Sequence, residues 1–210
     1  MATVAFPPSL LIVKISSAIF DCSAPDLESC PDETLPEIAF IGRSNVGKSS
    51  LLNMITSKRD LARVSGKPGS TVLINFFTIN NTWRLVDLPG YGYARVARKD
   101  KAQFNEAVGD YLKDRPNLFC VFALIDSMIP PQKKDLNFLE WLARNEIPFV
   151  IVFTKIDRAR PTAVKNNMAA FAEKLAEWAE NVPEMFTCSS KTGKGRLELL
   201  QIIEEVLKGD

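Results

Sequence analysis

The segment GRSNVGKS (42–49) sets Gly42 and Gly47 around four residues and closes on a lysine and a serine. Behind a strand and ahead of a helix, such a segment wraps a polyphosphate. The glycines let backbone N–H groups curl around anionic oxygens, and the helix N-terminus adds partial positive charge. Lys48 supplies a point charge for the β- and γ-phosphates, and the Ser49 hydroxyl a ligand for Mg²⁺. Arg43, Ser44, Asn45 and Val46 form the body of the loop, and Ser50 follows in the helix. All of 42–50 are therefore candidate nucleotide contacts. A chance glycine turn is the rival explanation, and the order strand, loop, helix argues against it.

A phosphate loop does not choose a base. Two later strings do. TKID (154–157) stands directly after the apolar run IPFVIVFT. A carboxylate at Asp157 can accept from both N1–H and the 2-amino group of guanine, whereas adenine would leave it unpaired. Lys155 can lay its aliphatic stem over the base plane, with Thr154 and Ile156 on either side. CSSKTG (188–193) follows the short apolar string EMFTC and brings a backbone N–H near Ser190 toward guanine O6, with Cys188, Ser189 and Lys191 beside it. Either string alone is weak evidence. Three in this order, on three strand ends, specify a guanine nucleotide.

The stretch RLVDLPGYGYARV (84–96) carries the remaining chemistry. Asp87 ends a strand, where a carboxylate can hold Mg²⁺ through water, although a simple strand-end cap is the plainer alternative. Leu88 and Pro89 lead to Gly90, whose N–H can meet a γ-phosphate only if no side chain blocks the approach. Loss of that phosphate would free the segment behind it. A further metal ligand is expected in GKPGST, where Thr71, flanked by Gly69 and Ser70, reaches the ion only once the γ-phosphate draws the loop in. Ser70 and ordinary strand-start chemistry are the alternatives. The expected metal set is Ser49, Thr71 and Asp87.

These loops need a scaffold. EIAFI (37–41), NLFCVFALID (117–126) and IPFVIVFT (147–154) are continuous apolar runs, as parallel strands covered on both faces require. TVLINFFTI and TWRLVD flank Asn80-Asn81 and read as a hairpin. Val164, Met168, Phe171, Leu175 and Trp178 recur at helical spacing, as do Leu197, Leu200, Ile203 and Leu207. Pro161 suits a helix start and Pro183 a position past a helix end. The sum is an α/β, doubly wound sheet with helices on both faces, binding ligands at the carboxyl ends of its strands. The run SLLIVKISSAIF near the N-terminus lacks a basic lead and is broken by Lys14, so an early strand is expected rather than an export signal. Stretches 21–36, 58–70 and 89–99 carry no helix or strand signal.

Composition narrows the field. The chain has 210 residues, 46% of them apolar, enough for one domain of ordinary size. A net charge of +1 gives no global basic field, so any contact with nucleic acid must be local. Histidine is absent, which excludes Ser-His and Cys-His nucleophiles and His-based zinc sites. Cys22, Cys30, Cys120 and Cys188 form no C-x-x-C pair and suit reduced thiols in a cytosolic protein, the last two as core residues.

The order GRSNVGKSS, KPGST, DLPGYGYA, TKID, SSKTG resembles the EngB (YihA/YsxC) family of bacterial ribosome-biogenesis GTPases, from about Leu35 to the end of the chain. The resemblance implies a P-loop NTPase G domain over 36–210 behind a lead or strand segment at 1–35, with a mixed, mostly parallel six-stranded sheet. It further implies Mg²⁺-dependent binding of GTP and GDP, slow GTP hydrolysis, and a cytoplasmic, monomeric protein. The partner it implies is the large ribosomal subunit, through ribosomal RNA or proteins, with a link to cell division and septation. One departure is visible: members often carry Arg-His after the aspartate at Asp126, and here the chain reads DSMIPP.

Tyr91 stands where Ras-type GTPases place a water-orienting glutamine, so a low intrinsic rate is expected. Asn45 could help hold K⁺ against the phosphates in place of an arginine finger, or could simply bond the loop backbone. The expected catalytic set is Lys48, Asn45 and Gly90. Arg95, Arg98, Lys99 and Lys101 read either as a solvated helix start or as a contact for an RNA backbone. Tyr91 and Tyr93 could stack on a base or pack beneath the moving segment. A GTP-gated, non-catalytic adaptor in cell division is the alternative function. An ATP-dependent kinase is disfavoured by Asp157.

Overall fold

The computed structural model describes residues 14–61, 73–91 and 98–209, with the side chains of 98–105 left aside. Gly69, Ser70, Thr71, Tyr93 and Arg95 lie outside the described residues. In chain order the elements are β1 (Ala18–Ala24), β2 (Glu37–Gly42), α1 (Lys48–Thr56), β3 (Ile74–Ile79), β4 (Trp83–Asp87), α2 (Arg98–Asp114), β5 (Leu118–Asp126), α3 (Lys133–Arg144), β6 (Phe149–Thr154), α4 (Pro161–Leu175), β7 (Met185–Thr187) and α5 (Arg196–Lys208).

The strands form one seven-stranded sheet in the order β1-β3-β4-β2-β5-β6-β7. From β4 through β7 every pairing is parallel, while β1 and β4 each run antiparallel to β3. The sheet is thus mixed and mostly parallel, with one strand more than the six that the family resemblance implies. The extra strand is β1, and it takes in 21–24, which carry no strand signal of their own. Its entry is fixed from the hairpin turn. Asn80 Oδ1 accepts from the Ser16 and Ser17 backbone N–H groups at 2.8 and 3.1 Å, and its amide donates to the Lys14 carbonyl at 2.8 Å. Asn80 and Asn81 both adopt positive φ (51° and 57°), the two-residue turn that matches strand twist.

Alternate side chains of the parallel strands feed two cores. Ile38, Phe40, Phe122, Leu124 and Val152 pack with Leu51, Leu52 and Ile55 of α1 and Leu199, Leu200 and Ile203 of α5. Ala39, Ile41, Val121, Ala123, Ile151 and Phe153 pack with α2, α3 and α4 through Tyr111, Leu139, Leu142, Phe171 and Leu175. Period-two alternation with both faces buried is what the continuous apolar runs require. One expectation fails here: Leu197 is 57% exposed, and the inner stripe of α5 is Leu199, Leu200 and Ile203. Arg196 sets the rotation by donating to the carbonyls of Met54 and Ile55 at 2.7 and 2.9 Å.

The consequence for function is positional. Gly42, Asp87, Asp126, Thr154 and Thr187 each end a parallel strand. Their loops therefore emerge along one rim, where open α/β sheets take ligands.

Candidate functional site

The phosphate loop leaves β2 at Gly42, and only a glycine fits there. A Cβ at that position would lie 2.8 Å from the Leu124 carbonyl oxygen and 2.9 Å from Val46 Cγ1. The loop turns through Asn45 (φ 64°) and Gly47 (φ 107°) into α1, whose first turn holds Lys48, Ser49 and Ser50. Arg43 accepts a bond on its carbonyl from Val46 N–H at 3.1 Å, which tightens the loop. Lys48 Nζ is bonded to Asp87 Oδ1 at the end of β4. Burial pushes the Lys48 ammonium down to about 8, while a neighbouring negative charge favours its protonated form.

The residues that could hold Mg²⁺ fit the ion. Ser49 and Asp87 offer oxygen donors, the kind that Mg²⁺ takes, and the present partner of Asp87 is itself a cation. Among the described residues no cluster of three or more His, Cys, Asp or Glu could hold a metal. An ion held by Ser49 and Asp87 would complete its shell with water and phosphate oxygens, as Mg²⁺ with few protein ligands does.

The second and third motifs are bonded to the first. Thr154 Oγ1 donates to the Val46 carbonyl at 2.6 Å. Lys155 takes a positive φ of 61° and crosses the phosphate loop. Its Nζ donates to the Asn45 carbonyl at 2.6 Å and to Asp126 Oδ2 at 2.7 Å. A Cβ on Gly47 would lie 3.7 Å from Lys155 Cε, so the lysine stem lies along the loop. Ile156 N–H bonds the Cys188 carbonyl at 3.3 Å, which joins TKID to CSSKTG. Ser189, fully buried, donates its hydroxyl to Asp157 Oδ1 at 2.6 Å. That bond holds the Asp157 carboxyl below its ordinary range, so an ionised acceptor stands at the rim. Ile156 and Asp157 line a cavity of about 620 Å³ beside α4. Ser190 and Lys191 follow on the same turn, and Cys188 is buried in the core as its apolar setting suggests.

Gly90 is packed on the phosphate loop: a Cβ there would lie 2.5 Å from the Gly42 carbonyl oxygen and 3.3 Å from Ser44 N. Leu88 N–H still pairs with the Phe40 carbonyl at 3.0 Å, which seats Asp87 and Pro89 against β2. Tyr91 packs within the fold. It stacks on Phe138 and donates its hydroxyl to Asp135 at 3.0 Å.

The comparisons with known proteins agree. A family model described as a 50S ribosome-binding GTPase matches residues 37–155. The probable GTP-binding protein EngB of Bacteroides fragilis is 48% identical over 196 residues, spanning 93% of this chain and 98% of that one. Its counterpart in Cytophaga hutchinsonii is 50% identical over 192 residues, spanning 91% and 96%. The chain belongs to the EngB family of GTP-binding proteins. A crystal structure of a probable GTP-binding protein EngB shares the fold, with a TM-score of 0.68 at 24% identity over 83% of this chain and all of that one. As an EngB-family member the chain is a P-loop GTPase, which hydrolyses GTP to GDP and phosphate.

Beyond these motifs, this EngB chain places two carboxylates at the site. Asp126 pairs with Lys155, and the chain beyond it reads Ser-Met rather than Arg-His. Asp126 nonetheless stays engaged, with Met128 N–H on its other oxygen at 3.0 Å. Asp135 joins Arg43 and Tyr91. The signal for Asp135 is its register: it lies on the stripe of α3 shared with Leu139 and Leu142, and all three are buried. Among the described residues no helix is long and apolar enough to cross a membrane.

Proposed function

We propose that the chain is a guanine-nucleotide switch that works in assembly of the large ribosomal subunit, with a consequent effect on cell division. The observation that carries the nucleotide reading is Lys155. One ammonium ties the base motif to the phosphate loop, so the two halves act as a single site. In this reading Asp157 takes the guanine edge, the loop 42–50 takes the phosphates, and Gly90 reports the γ-phosphate. Ser49, Thr71 and Asp87 hold Mg²⁺, which neutralises phosphate charge. The description of the matching family model, a 50S ribosome-binding GTPase, supports the ribosomal partner. Co-sedimentation with large subunits tests that reading, with retention expected under a GTP analogue and release under GDP. Retention in no nucleotide state would reduce the chain to a GTPase without this target, and equal retention in all of them would remove the switch.

Tyr91 cannot orient a water as glutamine does, which supports a slow intrinsic rate. The missing electrostatic help is assigned to K⁺ held near Asn45, an exposed residue of the phosphate loop. Hydrolysis should run several-fold, about three or more, faster in K⁺ than in Na⁺ at equal ionic strength. The Asn45→Ala variant should lose the difference, and equal parental rates in both salts would dispose of the ion's role. If large subunits leave multiple turnover unchanged, a GTP-gated adaptor becomes the better description.

A further inference from the structure

Three segments meet on one buried carboxylate outside the nucleotide motifs. Asp135, in the first turn of α3, has a side chain only 3% exposed. Its Oδ1 accepts from the Tyr91 hydroxyl at 3.0 Å and lies 3.3 Å from Arg43 Nε. Arg43 belongs to the phosphate loop, and Tyr91 is the residue directly after Gly90. The Tyr91 ring stacks on Phe138 with centroids 4.5 Å apart and planes at 27°. Phe138 continues to Trp141 at 6.2 Å, and Lys113 of α2 sits 5.4 Å from the Trp141 ring centre. The glycine segment and the helix that follows it in sequence are thus both attached to α3.

We propose that Asp135 is a positioning residue for the nucleotide cycle: with Arg43 and Tyr91 it forms a latch that opposes the γ-phosphate-bound arrangement. The steric evidence is at Gly90, which is pressed on the Gly42 carbonyl, and at Lys48, which is bonded to Asp87. The latch rests on the proposed reading in which a γ-phosphate meets both Lys48 and the Gly90 N–H, which requires Lys48 to exchange Asp87 for phosphate and Gly90 to part from Gly42. Tyr91 is covalently next to Gly90 and has to follow. That motion costs the hydroxyl bond and the ring stack together. A buried carboxylate that loses a donor pays a desolvation penalty, but Arg43 stays with Asp135 and limits it. The latch is therefore reversible, and it is set against the one phosphate that separates GTP from GDP.

Tyr91→Phe deletes the hydroxyl bond and keeps the stack. It should raise the affinity for a non-hydrolysable GTP analogue relative to GDP by about tenfold, the scale of one hydrogen bond to a charged acceptor. Asp135→Asn should move the ratio the same way, and the double variant should add little, because both changes act on one contact. Equal changes for GDP and the analogue, or a ratio within about twofold of the parent in Tyr91→Phe, would show a packing contact only and overturn the proposal. Should Asp135→Asn fail to fold, the ratio for Tyr91→Phe decides alone.

Discussion

On the β6–β7 side of the rim, Thr154, Lys155 and Asp157 are bonded into the scaffold at 2.6 to 2.7 Å. On the β2–β4 side, Lys48 is bonded to Asp87 and Tyr91 to Asp135, so the groups that would face phosphate and metal face each other. The first arrangement is preorganised: its side chains lose little freedom when a ligand binds. The second has to exchange internal partners for those of the ligand. A switch needs such an exchange, because a ligand shifts a conformational equilibrium only by its differential interaction with the two states.

The comparison breaks most visibly at Asp157. If the base side is a preformed guanine reader, Asp157→Asn replaces an acceptor with a group that also presents N–H donors to guanine's own donors. Guanine-nucleotide affinity should fall by about 10³-fold or more, with preference passing to xanthosine triphosphate. Competition titrations against labelled GDP measure this. Effective competition by ATP against the parent protein would remove the base assignment altogether.

Much of this rim was legible in the sequence, and the reasons are local. The phosphate loop, TKID and CSSKTG each carry their chemistry within a few residues, and the buried strands before them read as unbroken apolar runs. The hairpin followed from Asn80-Asn81, which both take the positive φ expected of such a turn. What escaped depends on distant partners. An early strand was expected, but not its run over 21–24, where Arg84 reaches Asp21 at 3.2 Å across 63 residues. Two apolar stripes compete on α5, and the anchoring of Arg196 to α1 selects the one that leaves Leu197 outside. Asp135 is a charge on a buried stripe, odd in sequence but without meaning until Tyr91, 44 residues earlier, lies against it. Local pattern specifies elements, whereas tertiary contact specifies what a buried charge is for.

Asp126 sharpens the comparison at the next scale. Its bond to Lys155 belongs to the preorganised half, so weakening it should affect all guanine nucleotides alike. Asp126→Asn is expected to reduce GDP and GTP-analogue affinity by about tenfold each, from the loss of a charge-assisted hydrogen bond. The ratio between the two should hold. A selective loss of the analogue would mean that the two halves of the rim are coupled rather than separate.

The smallest effect concerns the phosphate side without its ligand. Burial lowers Lys48 to about 8 in the folded chain, from an ordinary value near 10.5. Between those values the unfolded chain holds a proton that the native state lacks, so stability rises with pH across that window. Below it, the folded protein carries the cost of a buried ammonium, offset in part by its bond to Asp87. Lys48→Met removes the titrating group and should flatten the dependence. The melting temperature of the nucleotide-free variant should exceed the parent's by on the order of 3 °C near neutral pH, and the gap should narrow as pH rises toward 10. The loss of Asp87's partner works against the gain, which is why the pH trend of the difference, rather than its size, is the test. A gap that widens with pH would show that Lys48 is stabilised in place, and that the phosphate side is as settled as the base side.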